Sequence, residues 1–150
     1  MGAKLFPIFK GQRLGYLFPG QGAQSVGMGR SLYQASPAAR DVFQEVDSAL
    51  GRSLTKLVFD GNDEELRETI NAQPAIMMVG LACVRAIEES VGSSVMTHSL
   101  AVAGHSLGEY TALAAAGVLN VTETAKLVQE RGRLMQRACV LRPGAMAAVL

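Results

Sequence analysis

Apolar and polar positions along this chain fall into short blocks whose period changes several times. Residues 14–18 form an apolar run closed by Pro19-Gly20-Gln21-Gly22, which reads as a buried strand entering a glycine-rich turn. A helical stretch is predicted over 28–34. Ser36 followed by Pro37 supplies an N-cap and first-turn pair for a helix reaching Leu50. Within it Val42, Phe43, Val46 and Leu50 repeat at helical spacing. Charged residues dominate 63–70, predicting a short helix, and Pro74 is expected to open a long, mostly interior apolar helix to about Val91. Residues 100–103 read as a strand ending at Gly104. A small-residue helix then runs over 107–116, stopped by Gly117. Thr122 is expected to cap a last helix reaching about Val140, and Pro143-Gly144 breaks the chain before a further strand over 145–150. Strands alternating with helices predict an α/β fold with a mainly parallel sheet.

Composition narrows the picture without choosing a function. A chain of 150 residues with 49% apolar content is globular in character, and it is long enough to bury roughly two thirds of its unfolded surface. The net charge of +1 and the scatter of basic residues supply no field to gather nucleic acid. No uninterrupted apolar run approaches the length of about 20 residues that crosses a membrane, and residues 1–12 lack the apolar core of a signal peptide. Cys83 and Cys139 have neither disulfide-scaffold numbers nor metal-ligand spacing. Cys83, inside an apolar run, is expected to be a small buried hydrophobe. A reducing, cytoplasmic setting fits best.

Candidate chemistry begins at Gly104-His105-Ser106-Leu107-Gly108. Gly-x-Ser-x-Gly between a strand and a helix is a nucleophile elbow: the turn is so tight that small residues must flank it, and it lifts the serine Oγ to the C-terminal end of the sheet. The helix beginning there brings backbone N–H groups and a positive dipole end to the reacting centre. These features make Ser106 the candidate nucleophile of an acyl transfer. Neither histidine suits it as a base. His105 is adjacent in a sharp turn and points away, whereas His98 lies about 25 Å upstream along an extended chain. Both are expected to be structural.

Two further features converge on the same sheet edge. Gly20 and Gly22 flank Gln21 after the first strand, where the backbone can approach a substrate and aim an N–H at a developing oxyanion. The spacing fits no phosphate loop. Arg131 is centred on an apolar stripe of the last helix formed by Val128, Met135 and Ala138 with Leu127 and Leu134 beside it, while Lys126, Glu130, Arg133 and Arg137 form a solvated stripe. An inward guanidinium needs a partner. That partner is either a buried carboxylate from another element or a substrate carboxylate held bidentately.

Four segments taken together resemble the malonyl-CoA:acyl carrier protein transacylases, including the acyltransferase domains of fatty-acid and polyketide synthases. They are Phe18-Pro-Gly-Gln-Gly-Ala-Gln24, Gln73-Pro-Ala75, Gly104-His-Ser-Leu-Gly-Glu-Tyr110 and Arg131-Gly-Arg-Leu-Met-Gln136, in family order and at family-like separations. The resemblance implies an α/β-hydrolase-like acyltransferase core and a serine that carries malonyl as an ester from coenzyme A to the phosphopantetheine thiol of acyl carrier protein. It also implies an oxyanion hole from the backbone N–H groups of Gln21 and Leu107, Arg131 on the malonyl carboxylate, and no metal or organic cofactor. The family's histidine base lies after a small ferredoxin-like subdomain. The resemblance therefore implies that this is an N-terminal portion of such an enzyme: an extension over 1–13, a partial core over 14–142, and the start of the small subdomain over 143–150. Two other readings compete with it. One is a serine hydrolase of α/β-hydrolase or patatin type, and the other is a non-catalytic acyl- or CoA-binding fragment.

Overall fold

A computed structural model describes residues 14–94, 96 and 99–144. The expected extension over 1–13, the strand over 145–150 and His98 lie outside the described residues. Two parallel strands, β1 (Leu14–Phe18) and β2 (Ser99–Gly104), pair in register from Gly15 opposite Ala101 to Phe18 opposite Gly104. Among the described residues they are joined by α1 (Arg30–Ala35), α2 (Pro37–Leu50), α3 (Leu54–Asp60), α4 (Asp63–Arg67) and α5 (Thr69–Val91). After β2 come α6 (Gly108–Ala115) and α7 (Val121–Leu141). The predicted α/β organisation with a parallel sheet is the observed one.

Helices α2, α5 and α7 pack on one another and enclose the main core, in which Phe43, Leu54, Leu66, Met77, Met78, Leu107 and Val128 are fully buried. Phe43, Tyr33 and Phe59 meet with ring centroids 5.4 Å apart, two of the pairs edge-on. A smaller cluster of Phe18, Val84 and Ala112 fastens the strands to α5 and α6. Helix α2 begins as its sequence predicts. Ser36 Oγ accepts from the Ala39 N–H at 3.0 Å and donates to Glu89 Oε2 of α5 at 2.6 Å, so one hydroxyl caps one helix and ties it to another.

Several expectations are corrected. Helix α3 is absent from the sequence reading: only seven residues long and without a side-chain cap, it is held by burial of Leu54, Leu57 and Val58 and by Asp47 accepting from the Thr55 N–H. The charged helix predicted over 63–70 breaks at Glu68, whose extended backbone separates α4 from α5. Pro74 does not open α5. The helix starts at Thr69, with the Asn71 and Ala72 N–H groups both donating to the Glu68 carbonyl, and runs through the proline. Helix α1 starts at Arg30, two residues late, because Gly29 at φ 74° holds a left-handed turn before it. Asn120 caps α7 in place of Thr122, completing a capping box with Glu123. Cys83 is exposed: it lines an apolar cavity of about 310 Å³ with Leu17, Phe18, Val79 and Ile87, between β1 and α5. Helix α5 has the length and composition of a membrane span, but 61% of its most apolar window is buried inside the protein, which marks it as a core helix.

Candidate active site

The elbow is built from backbone contact. Strand β2 ends at Gly104, and a Cβ there would collide with the Gly108 carbonyl group and the Glu109 N–H. A Cβ on Gly108 would in turn collide with the carbonyls of Phe18 and Pro19. The two glycines thus let the start of α6 rest directly on the end of both strands. The turn closes through Gly108 N–H to the His105 carbonyl at 2.9 Å and Glu109 N–H to the Ser106 carbonyl at 3.2 Å. Ser106 sits at its apex with φ 56°, the one non-glycine residue in the left-handed region among those described. Leu107 next to it buries its side chain completely, which anchors the helix start and fixes the backbone N–H there.

His105 continues the strand ladder, donating its N–H to the Phe18 carbonyl at 3.0 Å. Its ring packs on the Gly20 backbone so closely that a Cβ on Gly20 would strike Nδ1. The absence of a side chain at Gly20 is therefore a steric requirement of His105. Past it, Gly22 takes φ 111° and its N–H donates to Gln24 Oε1 at 2.8 Å. Gln21 between the two glycines is exposed, and its Nε2 donates to Thr69 Oγ1 at 3.2 Å.

Arg131 reaches the serine. Its Nη2 donates to Ser106 Oγ at 2.8 Å and its Nη1 to Gln73 Oε1 at 2.7 Å, and the guanidinium lies 5.6 Å from the centroid of the Tyr110 ring. Both hydrogen-bond partners are neutral. A guanidinium only donates, so Ser106 Oγ receives from Arg131 and keeps its own proton available for transfer to another group. The stripe that carries Arg131 is narrower than the spacing suggested: Val128 is buried, but Leu127 and Leu134 are 45% and 50% exposed. The opposite stripe is solvated as expected. There Arg133 grips Glu130 through two hydrogen bonds, and this contact holds the Glu130 carboxyl below its ordinary range.

Gln73 was not singled out as a site residue from the sequence. It is completely buried, with Oε1 on Arg131 and Nε2 donating to Met135 Sδ at 3.2 Å. A signal existed: a glutamine inside an otherwise apolar helix needs a polar partner. Next to Arg131, Gly132 lets α7 touch α5, since a Cβ there would come within 2.7 Å of the Thr69 carbonyl oxygen. Among the described residues no His, Cys, Asp or Glu cluster is arranged to hold a metal ion.

The sequence matches the acyl transferase domain family over residues 15–150. This chain belongs to that family. The malonyl CoA-acyl carrier protein transacylase of Bacillus subtilis (strain 168) is 44% identical over 138 residues, a stretch covering 92% of this chain and 42% of that protein. In structure, the acyl-carrier-protein-S-malonyltransferase of Bartonella henselae superposes with a TM-score of 0.81 at 47% identity, covering 85% of this chain and 40% of that one. A malonyl-transacylase in complex with its type II PKS acyl-carrier protein superposes at 0.77 with 39% identity, over 85% of this chain and 40% of that one. The acyl transferase fold is therefore common to all three. The chain spans about two fifths of the length of these relatives.

Proposed function

We propose that this acyl transferase chain carries the acyl-accepting serine and the carboxylate clamp of a malonyl-CoA:acyl carrier protein transacylase. The contact between Arg131 Nη2 and Ser106 Oγ, 2.8 Å long, carries the reading. A simple ester hydrolase gains nothing from a guanidinium on its nucleophile. A diacid transferase needs a cation close to the serine, because the malonyl carboxylate lies only one methylene beyond the carbonyl under attack. Ser106 Oγ attacks the thioester carbonyl of malonyl-CoA. The tetrahedral oxyanion is received by the backbone N–H groups of Gln21 and Leu107, and collapse expels the coenzyme A thiolate to leave a malonyl ester on Ser106. Attack by the phosphopantetheine thiol of acyl carrier protein reverses the sequence and regenerates the serine. Arg131 pairs with the malonyl carboxylate throughout, and an acyl group lacking that charge leaves the guanidinium with neutral partners only.

A base must take the Ser106 proton, and His105, turned onto Gly20, is not placed to do so. The relatives are more than twice as long as the stretch they share with this chain, and we assign the base to the part of them that the match does not cover. The chemistry calls for neither metal nor organic cofactor, and a cytoplasmic setting suits both substrates. Residues 14–142 form the acyl transferase core in this reading, with 1–13 an extension and 143–150 the start of the small subdomain.

Intact-mass measurement after incubation with malonyl-CoA or acetyl-CoA tests the proposal. The expected result is a malonyl adduct that disappears in Ser106→Ala, and a malonyl-over-acetyl preference that falls by about tenfold or more in Arg131→Ala, the loss of one charge-assisted contact. An adduct that survives Ser106→Ala, or a preference unchanged in Arg131→Ala, overturns it.

A further inference from the structure

We propose that the first two turns of α5 form a shelf that sets the spacing between the oxyanion-binding loop and the carboxylate clamp, with Thr69 and Gln73 as its two positioning residues. The inference rests on the acyl-transfer reading above and assigns roles to residues which that reading leaves idle. Thr69 and Gln73 stand four residues apart on one helix and so share a face. Each holds a different half of the site. Thr69 Oγ1 accepts from the Gln21 side chain at 3.2 Å, fixing the loop whose backbone faces the oxyanion. Gln73 Oε1 accepts from Arg131 Nη1 at 2.7 Å.

The shelf is itself immobilised. The Gln73 amide cannot turn over without losing Arg131, because Nε2 is engaged by Met135 Sδ. The Ile70 N–H donates to Gln136 Oε1 at 3.2 Å, and Gly132 seats α7 against the Thr69 carbonyl. Helix α5 thus touches the loop after β1 on one side and, on the other, α7 at Gly132, Met135 and Gln136, within the turn and a half that follows Arg131. The two groups that must meet one substrate at a fixed separation, its thioester oxygen and its carboxylate, are referred to one rigid element. Misplacement of such groups by about 1 Å can lower a rate on the order of a hundredfold.

The two arms have separable signatures. Acylation of the 150-residue chain is followed by intact mass over a range of malonyl-CoA and acetyl-CoA concentrations, giving a maximal rate and a half-saturation point for each. Thr69→Val removes the acceptor while keeping the shape. We expect its maximal rate to fall about tenfold for both acyl groups, with half-saturation and the malonyl-to-acetyl ratio within about twofold, and Thr69→Ser to restore the rate. Gln73→Glu keeps the size and the hydrogen bond but places a negative charge on Arg131. We expect its malonyl half-saturation to rise about tenfold or more with acetyl unmoved. Changes within twofold for both variants overturn the shelf, as does a Thr69→Val that alters the malonyl-to-acetyl ratio in the way Gln73→Glu does. If instead the unaltered chain takes up no malonyl group even with imidazole supplied as an external base, it is the acyl-transfer reading that falls, so the two failures are told apart by the first arm of the experiment.

Discussion

Gly132 and Gly80 both lie inside long helices, where propensity alone says that alanine stabilises a chain by about 1 kcal/mol. The contacts around them predict opposite outcomes. A Cβ on Gly132 would stand 2.7 Å from the Thr69 carbonyl oxygen, 3.0 Å from Ile70 Cα and 3.2 Å from the Thr69 carbonyl carbon. All three are backbone atoms of α5. An ordinary contact lies near 3.5 Å, so α7 must lift by roughly 0.8 Å along the turn that carries Arg131. Overpacking of this kind costs about 1–3 kcal/mol, toward the upper end where backbone cannot yield, and the lift also stretches the Ile70 to Gln136 hydrogen bond, worth about 1 kcal/mol. With the propensity gain set against these, Gly132→Ala should destabilise the chain by about 2–3 kcal/mol. At Gly80 the new Cβ would meet Thr111 Cγ2 at 3.2 Å and Phe18 Cδ1 at 3.5 Å, both side-chain atoms that give by a few tenths of an ångström. There propensity wins, and Gly80→Ala should be neutral or more stable by up to about 1 kcal/mol. Urea unfolding followed by far-ultraviolet circular dichroism separates them, provided the slopes agree so that midpoints report stability. A Gly132→Ala chain as stable as the unaltered one, or two variants shifted by the same sign and size, would refute the contact argument and leave propensity in charge.

Asn120→Ala should remove the capping box of α7 and lower stability by about 1 kcal/mol, and the same urea titration should find Thr122→Ala, which loses only an exposed hydrogen bond to Glu45, less damaging. Desolvation in the apolar cavity pushes the Cys83 thiol above its ordinary range. Iodoacetamide near pH 8.5 should therefore label Cys83 more slowly in the folded chain than in urea; equal rates would contradict this. The sign for stability follows: above about pH 8.5 the unfolded thiol ionises first, so the folded chain loses this contribution as pH climbs toward the raised value, and Cys83→Ala should lack that slope.

Local rules made much of this fold readable. The Ser36-Pro37 start of α2, the apolar β1 and the Gly104–Gly108 elbow are each specified by a few adjacent residues, and each stands where the pattern put it, although β1, expected to be buried, buries only Phe18 and leaves Leu17 exposed. What escaped depends on distant contacts. Helix α3 has no cap of its own and exists because Leu54 and Val58 find the core. The start of α5 ahead of Pro74 relies on Gln136 and Gly132 from α7, sixty or so residues away. Cys83 appeared buried because its neighbours are apolar, but the cavity beside β1 opens it. The site follows the same division. Ser106 is legible from its own pentapeptide and Arg131 from its stripe. That the two touch, and that Gln73 and Thr69 stand behind them, is a property of how α5, α6 and α7 meet.

The left-handed backbone of Ser106 carries an evolutionary consequence. An L-residue with φ near 56° is strained by about 1–2 kcal/mol relative to glycine at the same place, and the surrounding glycines already supply the space a sharper turn needs. At this position the backbone favours glycine, which would relax the turn while silencing the chain, and what opposes that loss is the hydrogen bond Ser106 Oγ accepts from Arg131 Nη2. Persistence of serine there in any descendant is therefore a record of selection on the hydroxyl itself, since the backbone conformation favours its loss.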